Sequence, residues 1–217
     1  MSGRILMLSL VATTMSIPVF AQNNYLTVNM GGGVTTPLNP TAQYAGTSGH
    51  FVGAAGYRIN KTSSIIGEFM VSGLPPNIFV VQPISAPFGA IHLYTMTANY
   101  RFEASSINRS RFGVYGTIGG GWYYRYAKID KNFILPPGTV CDPIYTWWGY
   151  GCSAGTVFTA TVANKGVSSG GLNGGVGFTI RFGDSPWKFY TESRYHYAFS
   201  AGIPSTLVPV TLGVRFN

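Results

Sequence analysis

The run Glu192-Ser-Arg-Tyr-His196 sets a carboxylate, a guanidinium and an imidazole at every second position. In an extended strand alternate residues share a face, so Glu192, Arg194 and His196 project together. A carboxylate beside an imidazole is the raw material of general acid–base or proton-relay chemistry. The same trio also suits a packed polar interior, where charges pair and fix strand register. That structural reading is the stronger one. The other histidines are His50 and His92, and none of the three has a clear Ser-and-acid constellation on the lipid-facing side, so no catalytic residue is assigned. Gly119-Gly120-Gly121, Gly170-Gly171 and Gly174-Gly175 are not phosphate cradles, because no helix follows them. They are tolerated where strands bend or side chains must be small. No cofactor is implied.

Cys141 and Cys152 enclose Asp-Pro-Ile-Tyr-Thr-Trp-Trp-Gly-Tyr-Gly. No His lies nearby, which argues against a metal site. Their redox state depends on compartment, and residues 1–21 speak to that. One basic residue, Arg4, precedes an apolar stretch, and Val19-Phe20-Ala21 ends it. This is the pattern of a cleaved signal peptide, with a mature domain over 22–217. An exported chain meets oxidising conditions, so a Cys141–Cys152 disulfide is expected. Closing such a loop would add about 3 kcal/mol by the chain-entropy model. Tyr145, Trp147, Trp148 and Tyr150 inside it are large amphipathic surfaces, suited to a binding contact or a membrane interface.

The elements that would hold these residues are strands. Four apolar period-two runs close alike: Gly-Tyr-Arg-Ile at 56–59, Asn-Tyr-Arg-Phe at 99–102, Thr-Ile-Arg-Phe at 179–182 and Gly-Val-Arg-Phe at 213–216. Arg58, Arg101, Arg181 and Arg215 then point one way, and Ile59, Phe102, Phe182 and Phe216 the other. An Arg inside and an apolar residue outside, at one rim, is what a membrane-spanning barrel needs at its water interface. Period two with turn signals gives eight strands, near 25–36, 50–60, 63–73, 90–102, 111–124, 170–182, 187–199 and 207–217. The connections after the second, fourth and sixth are short and polar. Those after the odd strands are generally longer, and 125–168 is the longest. The segment 156–163 alternates too and leaves an extra hairpin open.

Composition agrees. Charged residues are 9% of the chain, against about a quarter in soluble domains. No later stretch has the roughly 20 apolar residues of a membrane helix. The net charge of +8 does not point to nucleic acid, because the basic residues are scattered and an exported protein rarely meets it. The expected fold is all-β, a closed antiparallel eight-stranded transmembrane barrel. Its interior would hold Arg58, Glu68, Arg101, Arg181, Glu192, Arg194, His196 and Arg215. Charges buried there must pair, so Glu68 and Glu192 are expected to bind Arg.

With its leader, alternating strands and terminal Val214-Arg215-Phe216, the chain resembles the small outer-membrane β-barrels, the OmpA-like transmembrane domains and their single-domain relatives. The resemblance implies the outer membrane as location. Its partners would be membrane lipids, lipopolysaccharide and the barrel-insertion machinery, which reads a C-terminal aromatic. Here Asn217 follows Phe216, a departure from that ending. The function implied is structural or surface interaction through external loops, without an open pore. Two other functions compete: an outer-leaflet lipid-modifying enzyme built on His50, His92 or His196, and a small-molecule channel of the OmpW-like kind. The sequence names no loop ligand.

Overall fold

Alternation of apolar and small polar residues leaves the chain no amphipathic helix to form, and it folds into strands. The computed structural model describes residues 25–77, 88–104, 111–134, 143–146, 149–152, 157–183, 185–200 and 202–216. Residues 1–21, where a signal peptide is expected, lie outside them. The strands are β1 (Leu26–Pro37), β2 (Ser48–Arg58), β3 (Ser63–Leu74), β4 (Phe88–Glu103), β5 (Phe112–Ile134), β6 (Pro143–Thr146), β7 (Gly149–Cys152), β8 (Val157–Arg181), β9 (Trp187–Ala198) and β10 (Ser205–Phe216). Eight of them close a barrel in the order β1-β10-β9-β8-β5-β4-β3-β2, while β6 and β7 form a separate hairpin. Closure is antiparallel throughout, and β1 meets β10 from Val28↔Phe216 to Pro37↔Leu207.

The barrel is inside out relative to a soluble protein. Met30, Met96, Ile118, Leu172, Val176 and Leu212 are between 54% and 67% exposed, while Arg101 and Arg215 are 1% and 0% exposed. Apolar side chains turned outward with charges turned inward is the arrangement lipid demands. Aromatic pairs mark both ends of the belt. At the end of the short turns Tyr25 stacks on Tyr57, Phe182 meets Phe189 edge-on and Trp187 meets Phe216 edge-on. Toward the other end Trp122 stacks on Tyr124, which touches Tyr94. These are the two aromatic girdles of a membrane barrel.

The long-loop end is packed. Leu74, Leu93 and Leu207 point inward and bury Ala45 from the β1–β2 connection, with Ile91 against them. A single 3-10 turn, Thr41–Gln43, holds that connection in place. The Thr41 hydroxyl donates to the Pro204 carbonyl at 3.1 Å and accepts from the Thr206 N–H at 2.8 Å.

Two strands are far longer than their sequence pattern suggests. The expected 125–168 connection is in large part strand: β5 and β8 stay paired out to Ile134↔Val157. On one side β4 follows β5 only to Phe88↔Asp130, and on the other β9 leaves β8 at Gly171↔Ala198. A ribbon of β5 and β8 therefore rises past β9, still flanked by β4 as far as Asp130, and its last four pairs, about 13 Å at the usual strand rise, stand free of both neighbours. The stretch 157–163 is thus the distal part of β8 and not a hairpin of its own.

Candidate functional site

Period two delivers the inward charges to the lumen, and Arg194 is their hub. It lies on β9, diametrically opposite β3 in the strand order. Its Nη1 and Nη2 donate to the two carboxylate oxygens of Glu68 at 2.7 and 2.8 Å. Its Nε forms an ion pair with Glu192, two residues away on the same strand face. All three side chains are buried. A planar guanidinium meeting one carboxylate with two parallel bonds is the strongest geometry this pair has.

Below this clasp, Tyr115 sits between two guanidinium groups. Arg215 lies 4.4 Å and Arg101 4.9 Å from its ring centroid, and Arg215 also lies 5.3 Å from Tyr190. Ring faces attract cations, which offsets part of the cost of burying two Arg in one cross-section. Arg215 donates from Nη1 to Glu103 at 3.0 Å. Glycines make room for these large groups. A Cβ on Gly175 would come within 2.6 Å of Arg194 Cγ, and one on Gly213 within 2.7 Å of the Tyr190 ring.

The structure thus joins Glu68, Glu192 and Arg194 directly, and Arg101 and Arg215 through Tyr115. His196 hydrogen-bonds the Tyr123 hydroxyl at 2.9 Å inside the lumen. Arg58 and Arg181 stand apart, half-buried at the short-turn end. His50 bridges Thr35 and Thr211 at 3.0 and 2.9 Å. His92 faces outward, stacked on Tyr94. His50 and His196 thus share the lumen, and His92 does not.

Several contributors escape sequence reasoning. Glu103 reads as the start of a polar turn, yet it closes β4 and holds Arg215. Tyr123 and Tyr190 share inward parity with their charged neighbours, which is the signal that would have found them. At the ribbon, Asp130 accepts from the Thr161 hydroxyl at 2.8 Å and pairs with Lys128 at 3.0 Å. The Lys128 ammonium, then the Thr161 hydroxyl, hold its carboxyl below the usual carboxylate range. In the small hairpin Tyr145 opposes Tyr150 and Pro143 opposes Cys152. Cys141, Trp147 and Trp148 lie outside the described residues.

No protein-family model matches the chain, and no curated protein matches it in sequence. Solved structures do. Neisserial surface protein A is similar over 88% of this chain and 96% of its own, at 15% identity and a TM-score of 0.52. The attachment invasion locus protein Ail of Yersinia pestis is similar over 89% of this chain and all of its own, at 15% identity and a TM-score of 0.50. The fold is that of the small outer-membrane barrels. At this identity the likeness fixes architecture: one closed eight-stranded wall, short turns at the end where the chain enters and leaves it, longer excursions at the other. By the usual asymmetry of such barrels, the short turns face the periplasm and the ribbon faces outward.

Proposed function

We propose that this barrel works at the cell surface by contact, with the β5–β8 ribbon and the β6–β7 hairpin as its contact elements and the lumen as scaffold. The ribbon carries this reading. Among the described residues, the outer edge of β8 from 157 to 168 pairs with no strand beyond β5. Unpaired N–H and C=O groups along an edge are a template for another chain. The clasp supports the scaffold half of the reading, because each charge at its centre is engaged by another. The names of the two similar structures speak of a surface protein and of attachment, but the ribbon is the argument. The same reading includes export by residues 1–21, with 22–217 as the mature chain. It includes a Cys141–Cys152 disulfide, supported by a hairpin that returns Cys152 to the residue two positions after Cys141. It assigns the barrel no enzymatic role.

The test replaces the ribbon beyond Ala127 and Lys165, with its hairpin, by a short turn. The barrel should still fold, seen as different gel mobility before and after boiling. Cells displaying the shortened chain should lose adhesion to cultured epithelial monolayers, or cell–cell settling, relative to cells displaying the intact chain. Equal behaviour of the two strains in both assays would reject the contact role. A change in lipid A mass that requires His50, His92 or His196 would favour the enzyme instead.

A further inference from the structure

Pro209 lies buried in β10, a strand with β1 on one side and β9 on the other. Proline has no N–H to give to either neighbour. The direction of the missing bond follows from alternation. Each residue of an antiparallel strand turns its N–H and C=O to one neighbour, and the next residue turns them to the other. The Val210 and Leu212 carbonyls lie against Gly33 and Gly31 of β1, so Pro209 and Thr211 turn to β9. On β9 the Thr191 and Ser193 carbonyls lie against Gly177 and Gly175 of β8, so Glu192 and Arg194 turn to β10. The Arg194 carbonyl thus faces Pro209 and meets no N–H there. The register shows the break: β9 and β10 pair at His196↔Leu207 and resume at Ser193↔Val210, passing over 208 and 209. Val210 next to the break is 46% exposed on the lipid face. At that depth a backbone acceptor has no bulk water outside and needs an internal partner.

The lumen side of this break holds a cavity. Glu68, Glu192, Arg194, His196, Pro209 and Thr211 are on its walls, and it leaves about 10 Å³ for a water's centre, which is room for one. Glu192 is buried, and its Oε2 makes no hydrogen bond of good geometry among the described residues, although Tyr115 lies near the carboxylate. Thr211 stands directly opposite Glu192. Its hydroxyl meets His50 Nε2 at 2.9 Å, and His50 Nδ1 meets the Thr35 hydroxyl at 3.0 Å. We propose that one water is a fixed part of the wall here. It donates to the Arg194 carbonyl and to Glu192 Oε2, and it accepts from the Thr211 hydroxyl. A buried water makes about three such bonds. Thr211 gives its proton to the water only if it accepts one from His50. His50 therefore carries its ring proton on Nε2, and its Nδ1 accepts from Thr35. The water joins two networks that otherwise stand apart: Thr35, His50 and Thr211 on β1, β2 and β10, and the clasp between β9 and β3.

The test is a high-resolution crystal structure of the full barrel, joined to oxygen-17 relaxation dispersion of the detergent-folded protein, which counts long-lived internal waters. One density peak should stand within hydrogen-bond reach of the Arg194 carbonyl, Glu192 Oε2 and Thr211 Oγ1. Nitrogen-15 spectra should place the His50 ring proton on Nε2. Thr211→Ile removes the hydroxyl and fills the cavity, so the count of long-lived waters should fall by one. Pro209→Ala restores an N–H aimed at the Arg194 carbonyl, and that amide should exchange as slowly as its neighbours in the ladder. The proposal is overturned if the map has no peak in the cavity, or if the peak is a metal cation with shorter and more numerous oxygen contacts. A His50 proton on Nδ1, an unchanged count in Thr211→Ile, or fast exchange of the new amide in Pro209→Ala would each overturn it too. Gel mobility before and after boiling shows whether the variants fold. If they do not, the map and the His50 spectrum of the unaltered chain decide.

Discussion

A single carboxylate can be worth more to this protein than a square of lipid-facing surface. Glu68 accepts both terminal nitrogens of Arg194 in a buried setting, so Glu68→Leu leaves a guanidinium half-satisfied. Breaking such a pair costs about 3–5 kcal/mol, and detergent unfolding should show that loss for Glu68→Leu and Glu192→Leu. Val210→Leu, on the lipid face, should stay within about 1 kcal/mol of the unaltered chain. Parity in the strand was enough to tell which residues face the lumen. It could not tell who meets whom, because Glu68 and Arg194 are 126 positions apart and the match depends on register around half the barrel. At the ribbon, Asp130 titrates below its unfolded-state value of about 3.9, since Lys128 and Thr161 favour its charged form. Its contribution to ribbon stability is complete above that value and is lost as pH falls through the lower folded one. Amide exchange in the ribbon, corrected for intrinsic rate, should be the same at about pH 5 and pH 8 and should accelerate only in strong acid.

At the level of elements, the sequence announced the lipid-crossing parts and concealed the rest. Within the membrane one face meets lipid and the other the lumen, so alternation is sharp and each strand is legible. Past the rim the sequence carries charges. Lys128, Asp130, Lys131, Asn164 and Lys165 then interrupt the apolar alternation, and the paired strands look like a loop. Glycine-rich segments hid their purpose for a related reason: the need for space comes from neighbours distant in sequence. Gly175 lies against Arg194, whereas a Cβ on Gly170 would meet nothing within 4 Å. Gly175→Val should therefore cost about 1–3 kcal/mol through overpacking, and Gly170→Val far less. Unfolding midpoints of the two variants compared side by side measure the difference.

For the whole molecule, the filled lumen sets the transport expectation. The Leu74–Leu93–Leu207 cluster covers one end, the Arg194 clasp crosses the middle, and Tyr115 with its two Arg fills the section below. Eight-stranded barrels are narrow enough for side chains to fill them. In planar bilayers the protein should show no steady conductance. A stable open level that Arg194→Ala leaves unchanged would mean that solute passes by a route the clasp does not control. The clasp has one more consequence, and it concerns time. Every ladder bond can form as one strand joins the next, but the Glu68–Arg194 contact spans the lumen between opposite walls. It has no counterpart in an open sheet, so it must form after β1 has met β10. It acts as a latch thrown once the ring is shut, not as a guide toward shutting it. Interactions missing from the transition state govern escape from the native state and leave entry to it almost untouched. Glu68→Gln should therefore insert and fold at nearly the original rate and reopen much faster, which places the barrel's residence in the membrane under the control of one transverse bond.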